Sequence, residues 1–230
     1  MALTTTLDLY NQGLTSLKDV TFPEGLQLLY LYRNHLATLE GVIFPAGLQV
    51  LSLHNNHLTT LGGVIFPEGL QMLYLYNNHL TTLEGVIFPA GLQTLNLDNN
   101  QLTTLEGVIF PVGLQILWLY NNRLTTLKGM IFSSRLKHLC LTGNPITSFN
   151  GVMIADRTKI YCDDELRLLL RRASHITAAL RIQRVVRQWL KRRYLAALTM
   201  QQWFSMLSFQ RGGASYRVAL AKCDAALVSL

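Results

Sequence analysis

Cysteine is scarce in this chain and lacks any pairing pattern. Cys140, Cys162 and Cys223 are odd in number and form no CxxC pair. That argues against a disulfide framework and a cysteine zinc site, and it suits a reducing compartment. Charge is also sparse: 14% of the 230 residues are charged and 50% are hydrophobic, too apolar a balance for a disordered polymer. No long apolar run is present. The nearest to one, residues 194–210, is interrupted by Thr199, Gln201, Gln202, Ser205 and Ser208 and falls short of the ~20 residues that span a bilayer. The first ten residues, MALTTTLDLY, have neither a basic n-region nor an apolar h-region, so no secretory signal is expected. Glycine-loop, HExxH and GxSxG patterns are missing as well, and the acids and histidines are not gathered into a cluster. The expectation is a protein that is not an enzyme and needs no cofactor or metal.

Acidic residues are missing from one region in particular. Residues 1–165 hold 8 Lys/Arg and 12 Asp/Glu, a balance of −4. Residues 166–230 hold 12 Lys/Arg and one acid, Asp224, a balance of +11. A mildly acidic body therefore precedes a strongly basic tail, and the two need not share partners.

What the body does contain is a repeat of 22 residues. From Leu26 the units read LQLLYLYRNHLATLEGVIFPAG, LQVLSLHNNHLTTLGGVIFPEG, LQMLYLYNNHLTTLEGVIFPAG, LQTLNLDNNQLTTLEGVIFPVG and LQILWLYNNRLTTLKGMIFSSR. A partial unit, LDLYNQGLTSLKDVTFPEG, precedes them, and a degraded one, LKHLCLTGNPITSFNGV, follows. The core LxxLxLxxNxL resembles that of leucine-rich repeats. The 22-residue length with its LxxLxGV is similar to the intracellular subclass typified by a regulatory subunit of protein phosphatase 1. The resemblance covers about residues 4–162.

The residues support that architecture independently. Leu51 and Leu53 lie two apart and share one side of a short strand, as do Leu29/Leu31, Leu73/Leu75, Leu95/Leu97 and Leu117/Leu119. Phe22, Phe44, Phe66, Phe88, Phe110 and Phe132 should form a second spine nearer the convex side. Burying such side chains is worth about 1.5–3 kcal/mol each, but only where a neighbouring coil covers them, so the stack should be cooperative. Asn34, Asn56, Asn78, Asn100, Asn122 and Asn144 recur where the strand turns inward, and a buried amide there can bond its own coil and the next. Pro23, Pro45, Pro67, Pro89 and Pro111 predict a convex side of turns and extended chain. Gly25, Gly47, Gly69, Gly91 and Gly113 suit a tight turn before each strand. The fold class expected is α/β: a parallel-sheet horseshoe over 1–162, then a helical cap over 163–175. A basic helix over 176–211 and a short helix over 212–230 should complete the chain.

Residues between the leucines should face solvent on the concave side. One column reads Asp8, Tyr30, Ser52, Tyr74, Asn96, Trp118, Cys140; the next reads Tyr10, Tyr32, His54, Tyr76, Asp98, Tyr120, Thr142. Adjacent strands lie about 4.8 Å apart, so the columns merge into a ring-rich patch, and Tyr and Trp dominate interface hot spots. A protein partner is expected on Tyr10, Tyr30, Tyr32, His54, Tyr74, Tyr76, Asp98, Trp118 and Tyr120. His35, His57 and His79 form a further ladder that continues as Gln101 and Arg123, the mark of an exposed, tolerant position rather than a metal site.

In the tail, Ile182, Val185, Val186 and Trp189 recur at helical spacing with Arg184, Arg187 and Lys191 opposite. The run Ile182-Gln183-Arg184-Val185-Val186-Arg187-Gln188-Trp189-Leu190-Lys191-Arg192, with Leu195 beyond, resembles the IQ motif. That resemblance implies binding of calmodulin or a calmodulin-like light chain. Ile182 would enter an apolar cleft, Gln183 would bond cleft backbone, and Arg187 and Arg192 would meet acids. Val186 belongs to the same apolar stripe, and Leu195 would close the contact; Gln188 stands where the motif has glycine. A basic amphipathic helix suits an acidic groove; an anionic membrane is the alternative surface, and nucleic acid is not expected. The whole resembles leucine-rich-repeat/IQ scaffolds of the cytoplasm, cytoskeleton and centrosome. The alternatives are a regulatory subunit docking a phosphatase-type enzyme and a peripheral membrane adaptor.

Overall fold

The computed structural model describes residues 5–149 and 151–172. The chain divides into two units, Met1–Leu180 and Arg181–Leu230. The expected helices over 176–211 and 212–230, with Ile182, Gln183, Val186, Arg187, Gln188, Arg192 and Leu195, lie outside the described residues.

Eight three-residue strands follow one another: β1 (Thr6–Asp8), β2 (Leu28–Tyr30), β3 (Val50–Ser52), β4 (Met72–Tyr74), β5 (Thr94–Asn96), β6 (Ile116–Trp118), β7 (His138–Cys140) and β8 (Lys159–Tyr161). They pair in chain order into one parallel sheet. The register advances by one sequence repeat per strand, so that Leu29 faces Leu51 and Leu51 faces Leu73. Each coil is a solenoid turn, and from the second coil on its inward leucines cannot reach water. Leu29, Leu31, Leu36, Leu51, Leu53, Leu58, Leu73, Leu75 and Leu80 are all fully buried. Behind them the phenylalanines stack from Phe22 to Phe132 with centroids 6.0–6.5 Å apart.

The asparagine ladder closes each coil onto the preceding one rather than the next. Asn78 Nδ2 donates to Leu75 O of its own coil and to Leu53 O of the coil before, both at 3.0 Å. Its Oδ1 accepts from Leu58 N, also of the preceding coil, at 3.0 Å. No buried side-chain polar atom among the described residues is left without a partner.

The Phe-Pro segments make turns: Pro45, Pro67, Pro89 and Pro111 carbonyls accept from Leu48, Leu70, Leu92 and Leu114 amides. Among the described residues no helix lies between strands, as the prolines predict. The glycines before the strands lie in the tight turns expected, and coil spacing adds a second reason at one of them. Only Gly25 of that column has a left-handed φ. At Gly113 an added Cβ would lie 2.8 Å from Ala90 O, so close approach of neighbouring coils demands glycine there.

The C-terminal coil is covered by α1 (Asp164–Arg172), which begins with two acids at the positive end of its dipole. Leu166 is buried and Leu169 and Leu170 pack on the same core. Asp163 Oδ2 accepts from Gly143 N at 3.0 Å, tying the start of the helix to the seventh coil.

Candidate functional site on the sheet face

Strand geometry sends alternate residues to opposite sides. With Leu29 and Leu31 inside, Leu28, Tyr30 and Tyr32 of the same coil point out, and the uniform register stacks each into a column. Tyr10, Tyr32, His54 and Tyr76 form one continuous pile. Tyr10 lies 5.1 Å from Tyr32, Tyr32 4.6 Å from His54, and His54 4.2 Å from Tyr76, with planes within 14° of parallel. Tyr30 meets Tyr32 edge-on at 6.4 Å. The rings therefore spend much of their faces on one another, and only Tyr10 and Tyr120 are exposed by more than two-fifths. Tyr30, Tyr32, His54, Tyr74, Tyr76, Asp98 and Trp118 are half-buried.

Packing sets the protonation of this pile. Burial first, and the Arg33 guanidinium second, hold the His54 imidazole down at about 4. His54 is thus neutral at neutral pH, and its Nδ1 lies 2.8 Å from Ser52 Oγ. Burial likewise pushes the Tyr76 phenol up.

Two residues expected to face solvent do not. Ser52 is 3% exposed and Cys140 7% exposed. Both are short side chains sunk between larger neighbours: Ser52 lies between Tyr30 and Tyr74, and Cys140 between Trp118 and Tyr161. Burial raises the Cys140 thiol above its ordinary range, so it stays protonated.

The column Leu28, Val50, Met72, Thr94, Ile116, His138 also lies on this face and escaped the sequence reading, although it sits two residues before the Tyr30 column. Tyr161 escaped it too, because β8 falls 21 rather than 22 residues after β7. It stacks on Trp118 at 5.9 Å and on His138 at 6.0 Å, and its hydroxyl lies 3.1 Å from His138 Nδ1. Lys159 Nζ sits 5.1 Å from the Tyr161 ring centre.

Outside the sheet, His35, His57 and His79 are exposed and stack at 5.4 and 5.6 Å. Among the described residues no group of His, Cys, Asp and Glu is arranged to hold a metal ion. No helix among them is long and apolar enough to cross a membrane.

A parallel one-strand-per-coil solenoid with leucines inside and an asparagine ladder is a leucine-rich-repeat fold. The family model for leucine rich repeats matches residues 46–102 and 90–146, so that stretch is built of leucine-rich repeats. The solenoid of this family is in general an interaction fold rather than an enzyme. No curated protein matches the chain in sequence. Among solved structures it is similar to YopM from Yersinia enterocolitica WA-314, at 26% identity and a TM-score of 0.48, over 68% of this chain and 37% of that one. It is also similar to the leucine-rich-repeat domain of a Shigella effector, at 23% identity and a TM-score of 0.51, over 70% of this chain and 83% of that one. A third is a chain from the octameric complex of Latrophilin 3, Unc5D and FLRT2, at 23% identity and a TM-score of 0.51, over 66% of this chain and 53% of that one.

Proposed function

We propose that this chain is a protein–protein interaction scaffold of the cytoplasm with two separate docking elements. The observation that carries the first is the sheet face itself: seven of eight aligned coils present tyrosine, tryptophan and histidine rings in fixed register, with few charges among them. Pre-stacked rings lose little side-chain freedom on association, which favours tight docking. One structurally similar leucine-rich-repeat region was solved within a multi-protein assembly, which is consistent with this use of the fold.

The second element is the tail. What supports it is the IQ-like run from Ile182 to Arg192 within a stretch free of acids from Glu165 to Asp224. A helix of that composition would meet an acidic, Met-lined groove with both apolar and charged contacts. Calmodulin or a related light chain is the partner assigned to it.

The test uses the full chain. Titration with calmodulin, with and without calcium, should give a complex that Ile182→Ala with Gln183→Ala weakens at least tenfold. Unaltered binding in that variant, or none in either condition, removes the tail assignment. For the sheet face, Tyr74→Ala with Trp118→Ala should keep the circular dichroism spectrum while losing cross-linked protein partners. A double variant that unfolds would show that these rings are structural.

A further inference from the structure

The ring pile is interrupted at one place. After Tyr10, Tyr32, His54 and Tyr76 the column continues with Asp98, then Tyr120. Asp98 is a half-buried carboxylate in the middle of an otherwise nearly uncharged face. Its Oδ1 accepts from Tyr120 N at 2.6 Å, and its own amide donates to Asn96 Oδ1 at 2.9 Å. Among the described residues no Lys, Arg or His pairs with it. Burial pushes its carboxyl up, against the hydrogen bonds from Tyr120 and Asn96 that hold it down. A partly buried charge without a counter-ion costs stability, and the other six of the first seven coils fill this column with neutral groups.

The surroundings complete the picture. Tyr76 has one face covered by His54 at 4.2 Å, so its other face is turned toward the Asp98 coil. Tyr120, on the far side, is among the most exposed rings of the face. Trp118 stands opposite Asn96 in the neighbouring column. A carboxylate flanked by aromatic side chains of its own and the neighbouring column can hold a guanidinium or ammonium, through charge-assisted hydrogen bonds and cation–π contact.

We infer that Asp98, framed by Tyr76, Tyr120 and Trp118, is the specificity point of the docking face and receives an arginine or lysine side chain presented by a protein partner. This rests on the reading of the sheet face as a docking surface and says what that surface selects. Arginine is favoured over lysine, because a planar guanidinium can bond the carboxylate and lie against a ring at once. The assignment agrees with the charge of the body, −4 over residues 1–165, while the net +7 of the whole chain comes from the tail.

The experiment is selection of a random peptide library on the immobilised full chain, on Asp98→Asn and on Asp98→Lys. Asparagine keeps an acceptor for Tyr120 N, so the first variant should retain its fold, as circular dichroism would confirm. Wild-type peptides should share a basic residue, arginine more often than lysine. A synthetic peptide of that sequence should lose at least tenfold in affinity for Asp98→Asn, and Asp98→Lys should select acidic residues instead. If peptides that need Tyr74 and Trp118 show no basic residue, or bind Asp98→Asn as well as wild type, Asp98 is not the selecting group while the docking face stands. Peptides indifferent to Tyr74→Ala and Trp118→Ala, or no selected peptide at all, would overturn both.

Discussion

Asn11, Arg33, Asn55, Asn77, Asn99 and Asn121 all hold φ near +53°, at the point where the chain leaves each strand. Gly143 takes the same place in the seventh coil, at φ 74°. Asparagine tolerates the left-handed region better than other side chains, and Arg33 is the residue in this column with no such tolerance. Arg33→Asn should therefore raise stability by about 0.5–1 kcal/mol, read as a higher urea midpoint with unchanged slope; no gain would mean that the arginine makes up for its backbone elsewhere. The same change removes the second cause of the depressed His54 pKa, so the His54 ring resonances should titrate at higher pH. His54 itself makes stability depend on pH. Its folded pKa, about 4, lies below the ordinary 6.5, so between these values the unfolded chain takes up a proton that the folded chain refuses. Stability is therefore lost as pH falls through that window. His54→Gln should flatten the fall by about 1 kcal/mol once solvent screening of a half-exposed ring is allowed for; a slope as steep as wild type would contradict the stacking account. The buried asparagine ladder is readable in the repeat, and so is the Asn-Asn pair of four coils, whose first member carries the left-handed turn. That the ladder bonds backward could not be read, because identical coils look the same in both directions. The burial of Ser52 and Cys140 was also hidden, since it depends on the size of neighbours one coil away.

At the scale of the element, the strand of three residues and the turn after Phe-Pro are both consequences of a coil that must repeat every 22 residues. The inner leucines and the phenylalanine spine follow from spacing alone. The column headed by Leu28 obeys the same alternation rule as the tyrosines, so it was open to inspection. The strand β8 falls within 158–162, a segment legible as the last strand, but its coil is one residue short and loses the motif, so Tyr161 was not placed on the face. The pre-strand glycines show where sequence spacing finds the turn but not the second demand that neighbouring coils make on the residue. Their role is set by how near the preceding coil comes, which varies along the stack. The Cβ of an alanine would lie 3.5 Å from Leu26 O at Gly47, 3.3 Å from Glu68 O at Gly91 and 2.8 Å from Ala90 O at Gly113. Gly47→Ala should be neutral or slightly stabilising through the unfolded chain. Gly113→Ala must shift backbone and should cost about 1–3 kcal/mol. Thermal melts of the two variants give the comparison, and equal effects would show that conformational freedom, not coil spacing, decides the column.

At the scale of the whole solenoid, among the described residues every hydrogen bond of the sheet and ladder stays within a coil or joins it to an immediate neighbour. Leu75 N bonds Asn96 O and Met72 N bonds Gln49 O, one repeat forward and one back, with no bond reaching two coils away. Stability should then be close to a sum over coils and the contacts between adjacent ones. The length of the body becomes adjustable only in whole units, because a shift of half a coil would set the leucines of one turn against the phenylalanine side of the next. Deleting residues 70–91 joins Gly69 to Leu92 and brings the coil of β3 directly against that of β5 in the register each had toward β4. That variant should fold, unfold in a single transition, and show a urea slope lower by about one part in eight, since one of eight strands and its share of buried surface are gone. Deleting residues 70–80 removes half as much chain but leaves no coil in register, and should abolish the cooperative transition despite the smaller loss. If the 22-residue deletion unfolds the protein as completely as the 11-residue one, the coils are not independent units. The solenoid would then have to be treated as a single core whose far ends support one another.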